Sequence, residues 1–145
     1  MDFMTAIDVG ASGLKAERTR LNVISMNLAN AKTTRTVEGG PYQRKEVVFK
    51  ESDLGSPFSN AMQSALDKEV KGVRVALVQN DGRPLRQVYE PNHPDANEEG
   101  YVSYPDINVV EEMTNMMAAM RSYEANVSTI STAKTMFSKA LEIGR

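Results

Sequence analysis

Two heptad patterns, one near each end of the chain, limit what it can fold into more than any other feature. At the front, Ile7, Leu14, Leu21 and Leu28 recur every seven residues, with Ala11 and Ile24 filling the stripe. At the back, Val109, Met116, Tyr123, Ile130 and Phe137 mark one heptad position; Met113, Met120, Val127, Lys134 and Leu141 mark a second, with Lys134 the one polar member. A 3.5-residue repeat buries a seam between helices. The patterns therefore predict helices over residues 2 to about 30 and 108 to 143, paired as an antiparallel hairpin. The second would be about 50 Å long at 1.5 Å per residue, longer than a domain of 145 residues normally encloses.

Local signals agree with those limits. Asn108 followed by Glu111 predicts a capping box, and Gly144 a stop. Gly10 and Gly13 each cost about 1 kcal/mol relative to Ala inside a helix, so the first helix needs a neighbour. The second helix is wider than a seam. Val110, Met117 and Met136 add apolar surface, while Ala118, Ala119, Ala125, Ala133 and Ala140 allow close approach. An apolar face left wet by a two-helix pair marks an interaction site. Contacts between copies that do not close on themselves generate open helical assemblies. On periodicity alone, such stripes are most often just the core of an ordinary helical bundle.

Between the helices the period is lost. Gly39-Gly40-Pro41 punctuates the chain, and "YQRKEVVFK" reads as a strand. The polar stretch 51–70 reads as a loop with a short helix near 59–69. "VRVALVQ" reads as a mostly buried strand, Asn80-Asp81-Gly82 as a turn, and "LRQVY" as a strand ended by Pro91 and Pro94. The fold class expected is α+β: long terminal helices paired as a coiled-coil-like inner domain, with a small β-rich middle domain. The divisions fall at 1–34, 35–107 and 108–145.

Composition narrows function mostly by exclusion. Seventeen basic and 19 acidic side chains give a net charge of −2, which predicts neither a nucleic-acid binder nor a polybasic membrane ligand. The absence of cysteine excludes disulfides and thiol chemistry. No apolar run reaches membrane-spanning length. Asp2 and Asp8 stand where a cleavable secretion signal needs a basic segment and an apolar run, and composition alone points to the cytoplasm. His93, the one histidine, sits between prolines without partners for a metal site or triad. Glu111-Glu112 suits the first turn of a helix and, as adjacent residues pointing apart, not a catalytic pair. Asp81-Gly82 lacks the rest of a calcium loop, and the Gly10–Gly13 and Gly39-Gly40 stretches lack the Gly-Lys-Ser/Thr of a phosphate loop. Asn126-Val127-Ser128 is a glycosylation sequon inside an expected helix. No cofactor, metal or catalytic residue is expected.

The residues carry more than their period. "ASGLKAERTRLNVISMNLANAKTTR" at 11–35 and "EEMTNMMAAMRSYEANVSTISTAKTMFSKALEIGR" at 111–145 resemble the two terminal motifs of bacterial flagellar axial proteins. "GGPYQRKEVVF" and "YEPNHPDANEEGYVSYPDINVVEEM" narrow the resemblance to the proximal-rod proteins of the basal body, with 51–70 as a variable insert. This resemblance implies a structural subunit, not an enzyme, stacked helically around an export channel and carrying torque from motor to hook. The implied partners are other copies, other proximal and distal rod proteins, neighbouring ring and export-gate proteins, and the flagellar type III export apparatus. It also replaces the cytoplasmic expectation with the periplasm, reached without a cleaved signal.

An assembly interface is expected at Ile7, Leu14, Leu21, Ile24, Asn27, Leu28 and Asn30 on the first helix. On the second it involves Met113, Met116, Met117, Met120, Arg121, Tyr123, Glu124, Asn126, Val127, Ile130, Phe137 and Leu141. Leu14, Leu21 and Leu28 should meet Met113, Met120, Val127 and Ile130, within a subunit or across the nearest interface. Asn27 and Asn126, with Asn22 and Asn30, either fix register as buried amides or stay exposed. Arg121 and Glu124 pair at i, i+3, reach neighbouring subunits as the resemblance implies, or simply lie on a solvated helix face. The terminal helices are expected to order only on burial among neighbours. The competing reading is a stand-alone oligomeric coiled-coil adaptor, which would stop at a closed oligomer.

Overall fold

The structure, a computed structural model, describes residues 3–53 and 70–143. Helix α1 spans Phe3–Ala29 and helix α2 Val109–Ile143. Between them lie β1 (Lys45–Asp53), β2 (Lys71–Asn80), β3 (Arg86–Tyr89) and β4 (Tyr101–Tyr104). The chain is α+β as expected, with its two helices packed on one another and its strands in two separate antiparallel pairs. The short helix expected near 59–69 and the stop at Gly144 lie outside the described residues. Of the stretch 51–70, residues 51–53 complete β1.

The helices run antiparallel, and the contacts down the pair fix the register. The Phe3 and Phe137 rings stack with centroids 4.2 Å apart. Gly10 lies against Ile130, Gly13 against Asn126, and Asn27 against Glu112. A β-carbon at Gly10 would fall 2.7 Å from Ile130 Cγ1, and one at Gly13 2.9 Å from Asn126 Nδ2. The two glycines thus weaken the isolated helix and let the pair close.

Asn108 caps α2, its Oδ1 accepting from the N–H groups of Val110 (3.0 Å) and Glu111 (3.4 Å). The reciprocal half of the expected capping box is missing, because the Glu111 carboxylate turns away to Arg83.

Helix α1 is covered on a second side by the β1–β2 ribbon. Ser12 Oγ accepts from the Val73 N–H at 3.1 Å, and Asn27 bonds both backbone groups of Lys45. The ribbon pairs Lys45 with Asn80 and Asp53 with Lys71, and a bulge opposite Val48/Phe49 leaves Ala76 as the extra residue. The expectation of a mostly buried "VRVALVQ" strand is corrected: only Gly72, Val73 and Val75 are covered, and Ala76 through Asn80 are exposed. Among the described residues β2 has one partner strand, and its second half, Ala76 to Asn80, is exposed.

Asn80-Asp81-Gly82 does not form the expected turn. Residues 81–85 run without a turn, with the Asp81 N–H bonded to the Arg44 carbonyl at 2.6 Å, into a strand of the other sheet. That second pair, Arg86–Tyr89 with Tyr101–Tyr104, closes over Val102, which is 1 % exposed. At φ +85°, Gly100 lies beneath the Tyr89 ring, where a β-carbon would sit 2.8 Å from Cε2.

Candidate assembly surface and the polar junction behind it

The seam of α2 is offset from the apolar stripe that its sequence advertises. Residues turned toward the rest of the chain include Met116, Tyr123 and Ile130, together with Glu112, Ala119, Asn126 and Ala133. The first set is a heptad position read correctly from sequence. The second lies one residue before Met113, Met120, Val127 and Lys134. Ala119 is fully covered, while Met113, Met120 and Val127 are exposed. The expectation that Leu14, Leu21 and Leu28 meet those three within the chain is therefore corrected. Small and polar residues form half of the seam because the helices approach closely there, with Gly10 against Ile130 and Gly13 against Asn126.

What remains outside is an apolar strip along the first half of α2. Val110 is 72 % exposed, Met113 52 % and Met117 55 %, with Met120 and Val127 continuing the line. Arg121 and Glu124 stand on the same side, exposed, and among the described residues make no ion pair with one another. Leu141 is exposed, and Phe137 is exposed beyond its stack on Phe3. On α1, Ile24 and Asn27 are buried, and Ile7, Leu14, Leu21, Leu28 and Asn30 are half-buried. Asn30 closes the end of α1 by donating to the Met26 carbonyl at 2.9 Å and accepting from Thr33 Oγ1 at 3.1 Å. Asn22 is exposed.

Behind the strip, where both helices meet the ribbon, lies a charged junction. Glu112 is 1 % exposed. Its Oε1 accepts from Arg44 Nε at 2.9 Å and Nη2 at 2.7 Å, and its Oε2 from Asn27 Nδ2 at 3.2 Å. Asn27, equally buried, uses its full capacity. Nδ2 also donates to the Lys45 carbonyl (2.8 Å), and Oδ1 accepts from the Lys45 N–H (2.9 Å) and the Tyr42 hydroxyl (3.0 Å). Arg44 Nη1 continues to Asp81 Oδ2 at 2.9 Å, which Arg83 Nε also reaches at 2.9 Å, and Arg83 in turn grips Glu111 with two donors.

Each charge in the junction answers its setting. Burial, reinforced by the Glu112 charge, pushes the Tyr42 phenol up. Burial works against the Arg44 charge, but the Glu112 and Asp81 carboxylates outweigh it and its pKa rises. Hydrogen bonds and charge from Arg83 hold Glu111 below the usual carboxylate value. A buried carboxylate is tolerated only when its lone pairs are met and its charge compensated, and here both conditions hold. The sequence reading found Asn27 and missed the rest of the junction: Tyr42, Arg44, Asp81, Arg83 and Glu112. Glu112 passed as a helix-dipole residue, although its heptad spacing with Ala119 and Asn126 was available as a signal.

Nothing in this arrangement resembles a reaction centre. Among the described residues, no group of three His, Cys, Asp or Glu side chains is placed to hold a metal ion, and no helix is long and apolar enough to cross a membrane. The arrangement suits a subunit that is fastened internally by polar contacts and offers apolar surface outward.

Comparison with known proteins agrees with that architecture. Residues 7–35 match the family model described as flagella basal body rod protein, and residues 98–143 the model described as flagellar basal body rod FlgEFG protein C-terminal. These segments carry α1 and α2, so both helices of the pair are of the flagellar rod class. Along its whole length the chain is similar to proteins named flagellar basal-body rod protein FlgC. It is 41 % identical to that of Borreliella burgdorferi (99 % of this chain, 98 % of the relative) and 41 % to that of Bacillus subtilis (97 % of each). The Salmonella typhimurium protein is 39 % identical over 100 % of both chains. The chain belongs to the FlgC family of flagellar basal-body rod proteins.

Proposed function

We propose that this chain is a building block of the proximal rod, stacking helically with copies of itself and with other rod proteins around the export channel. Residues 1–34 and 108–145 form the inner domain of the stack, and 35–107 the outer one. The observation that carries this reading is the full-length similarity to rod proteins; the exposed apolar strip on α2 supports it physically. Covering a Met or Val side chain contributes about 1.5–3 kcal/mol, so a neighbour lying along the strip gains from several at once. The assembled rod lies in the periplasm, reached through the type III export apparatus, and passes torque from motor to hook, with ring and export-gate proteins as further neighbours.

The test is complementation. In a source cell lacking its own copy, the chain should restore swimming and co-purify with intact basal bodies. Normal basal bodies in its absence, or recovery of the chain only as a closed soluble oligomer, would sink the reading in favour of an adaptor.

A further inference from the structure

A cleft of about 280 Å³ opens where α1, α2 and the ribbon meet, its walls including Gly13, Glu17, Phe49, Lys71, Val73 and Asn126. Glu17 is the anomaly in it. Its Oε2 is buried and has no hydrogen-bond partner, and the Arg20 Nη1 is 4.0 Å away, beyond hydrogen-bond reach. The side chain keeps 15 % of its surface open. Lys71 lines the same cleft and donates to Glu51 Oε1 at 3.2 Å. A carboxylate oxygen taken from water without a donor is costly, and the cleft beside it is wide enough to admit the head of a long side chain.

A donor of the required kind stands on the opposite side of the molecule. Arg121 is exposed, and among the described residues it has no ion-pair partner. It lies beside Met117 and Met120 on the apolar strip. Ala119 marks the seam with α1, and two residues further on Arg121 is rotated about 200° around the helix. Its own cleft is therefore out of reach.

We propose that the Glu17 cleft of one copy receives the Arg121 guanidinium of the next. This inference rests on the rod reading and specifies one of its contacts. Other exposed cations are present, but Arg121 shares a face with the strip that must be covered, so one docking event meets both needs. Arginine set among methionines, with charge-assisted bonds to a carboxylate, is the composition of an interface centre. Donor and acceptor lie on different faces, so the contact can run head-to-tail, and it continues as an open stack where the rotation between copies does not close a ring.

Charge reversal tests it. In source cells lacking their own copy, Glu17→Arg and Arg121→Glu should each lower recovery of rod-bearing basal bodies by about tenfold or more, the scale of losing one close charge pair. The double reversal should restore most of that loss. Singles that assemble like the wild type, or a double that fails to restore, overturn the contact. Absence of the wild-type chain itself from basal bodies would instead sink the rod reading.

Should Glu17→Arg prove unfolded by circular dichroism, a second measurement decides. The chain has no cysteine, so Glu17→Cys with Arg121→Cys in one chain offers a bis-maleimide only those two positions. Isolated basal bodies should then yield a ladder of linked chains. Monomers alone overturn the proposal.

Discussion

Glu112 and Met113 are neighbours in sequence and opposites in fate. The carboxylate is 1 % exposed and the thioether-bearing side chain 52 %. The same inversion runs through both regions they represent. The junction of Asn27, Arg44 and Glu112 is polar and buried, and the strip from Val110 to Val127 is largely apolar and open. In a self-sufficient domain the hydrophobic effect would place them the other way round. The inversion shows that the outer strip of α2, unlike Met116, Tyr123 and Ile130, is not used to hold its own chain together. Polar contacts, which demand particular partners at particular distances, help to set the register of the helices and leave that strip uncovered within the chain.

The largest expected effect comes from breaking the polar side of this comparison. Glu112→Ala leaves the Arg44 guanidinium without its main partner and Asn27 with an unmet donor. The expected loss is about 3–5 kcal/mol, the range for removing one member of a buried pair, read from the urea midpoint. Glu112→Gln keeps an acceptor for Arg44 and should lose less. Equal losses would show that shape, not hydrogen bonding to a charge, makes the junction.

A smaller effect is expected where α1 approaches α2. Gly10→Ala gains helix propensity but drives its β-carbon toward Ile130 Cγ1, a branched atom close to the backbone. Overpacking of about 1–3 kcal/mol should exceed the gain of about 1 kcal/mol. Gly13→Ala meets the flexible end of Asn126 instead and should cost less. Thermal midpoints that rank the two in the opposite order would break this account of the seam.

Much of this architecture is legible in the sequence, and the part that is not has a physical cause. Helix limits follow from heptads and the Asn108 cap, and antiparallel pairing from burying a stripe. The phase of α2 is misread because Met113, Met120 and Val127 are more apolar than Glu112, Ala119 and Asn126. A rule that buries the greasiest line fails here, because that line lies one position away from the seam. Gly10 and Gly13 hold part of the missing information, since a glycine on the facing helix makes room for the side chain opposite, Ile130 and Asn126 here. The junction depends on Arg44 and Asp81 meeting Glu112 across long sequence separations, which no local period encodes. The strand at 71–80 looks buried by composition, yet among the described residues the ribbon has no second layer over its end.

Acid should probe the rim of the junction more gently. Arg83 holds the Glu111 carboxyl below its usual value of 4.5, so the unfolded chain binds its proton first as pH falls. The stabilisation is therefore complete above that value and disappears as pH drops through the lower folded-state value. Thermal midpoints measured below pH 4.5 should fall less steeply in Glu111→Gln than in the wild type. Because the pair is exposed, added salt should shrink the difference. An unchanged acid slope would mean that the Arg83–Glu111 contact contributes nothing in solution.

The smallest effect on the isolated chain bears hardest on the comparison. Met117→Gln with Met120→Gln replaces two exposed side chains by others of similar length and good helix propensity. If the strip takes no part in the fold, unfolding should move by no more than about 0.5 kcal/mol, as for other surface substitutions. In source cells, however, the same change removes apolar area that a neighbour would cover, and incorporation into basal bodies should drop. A destabilised monomer would place these methionines in the chain's own core and end the inversion. A stable monomer that assembles normally would leave the inversion standing as a structural fact and move the docking face elsewhere. Stability kept while assembly is lost requires the two regions to have divided the work, the polar one folding the subunit and the apolar one joining it to the next.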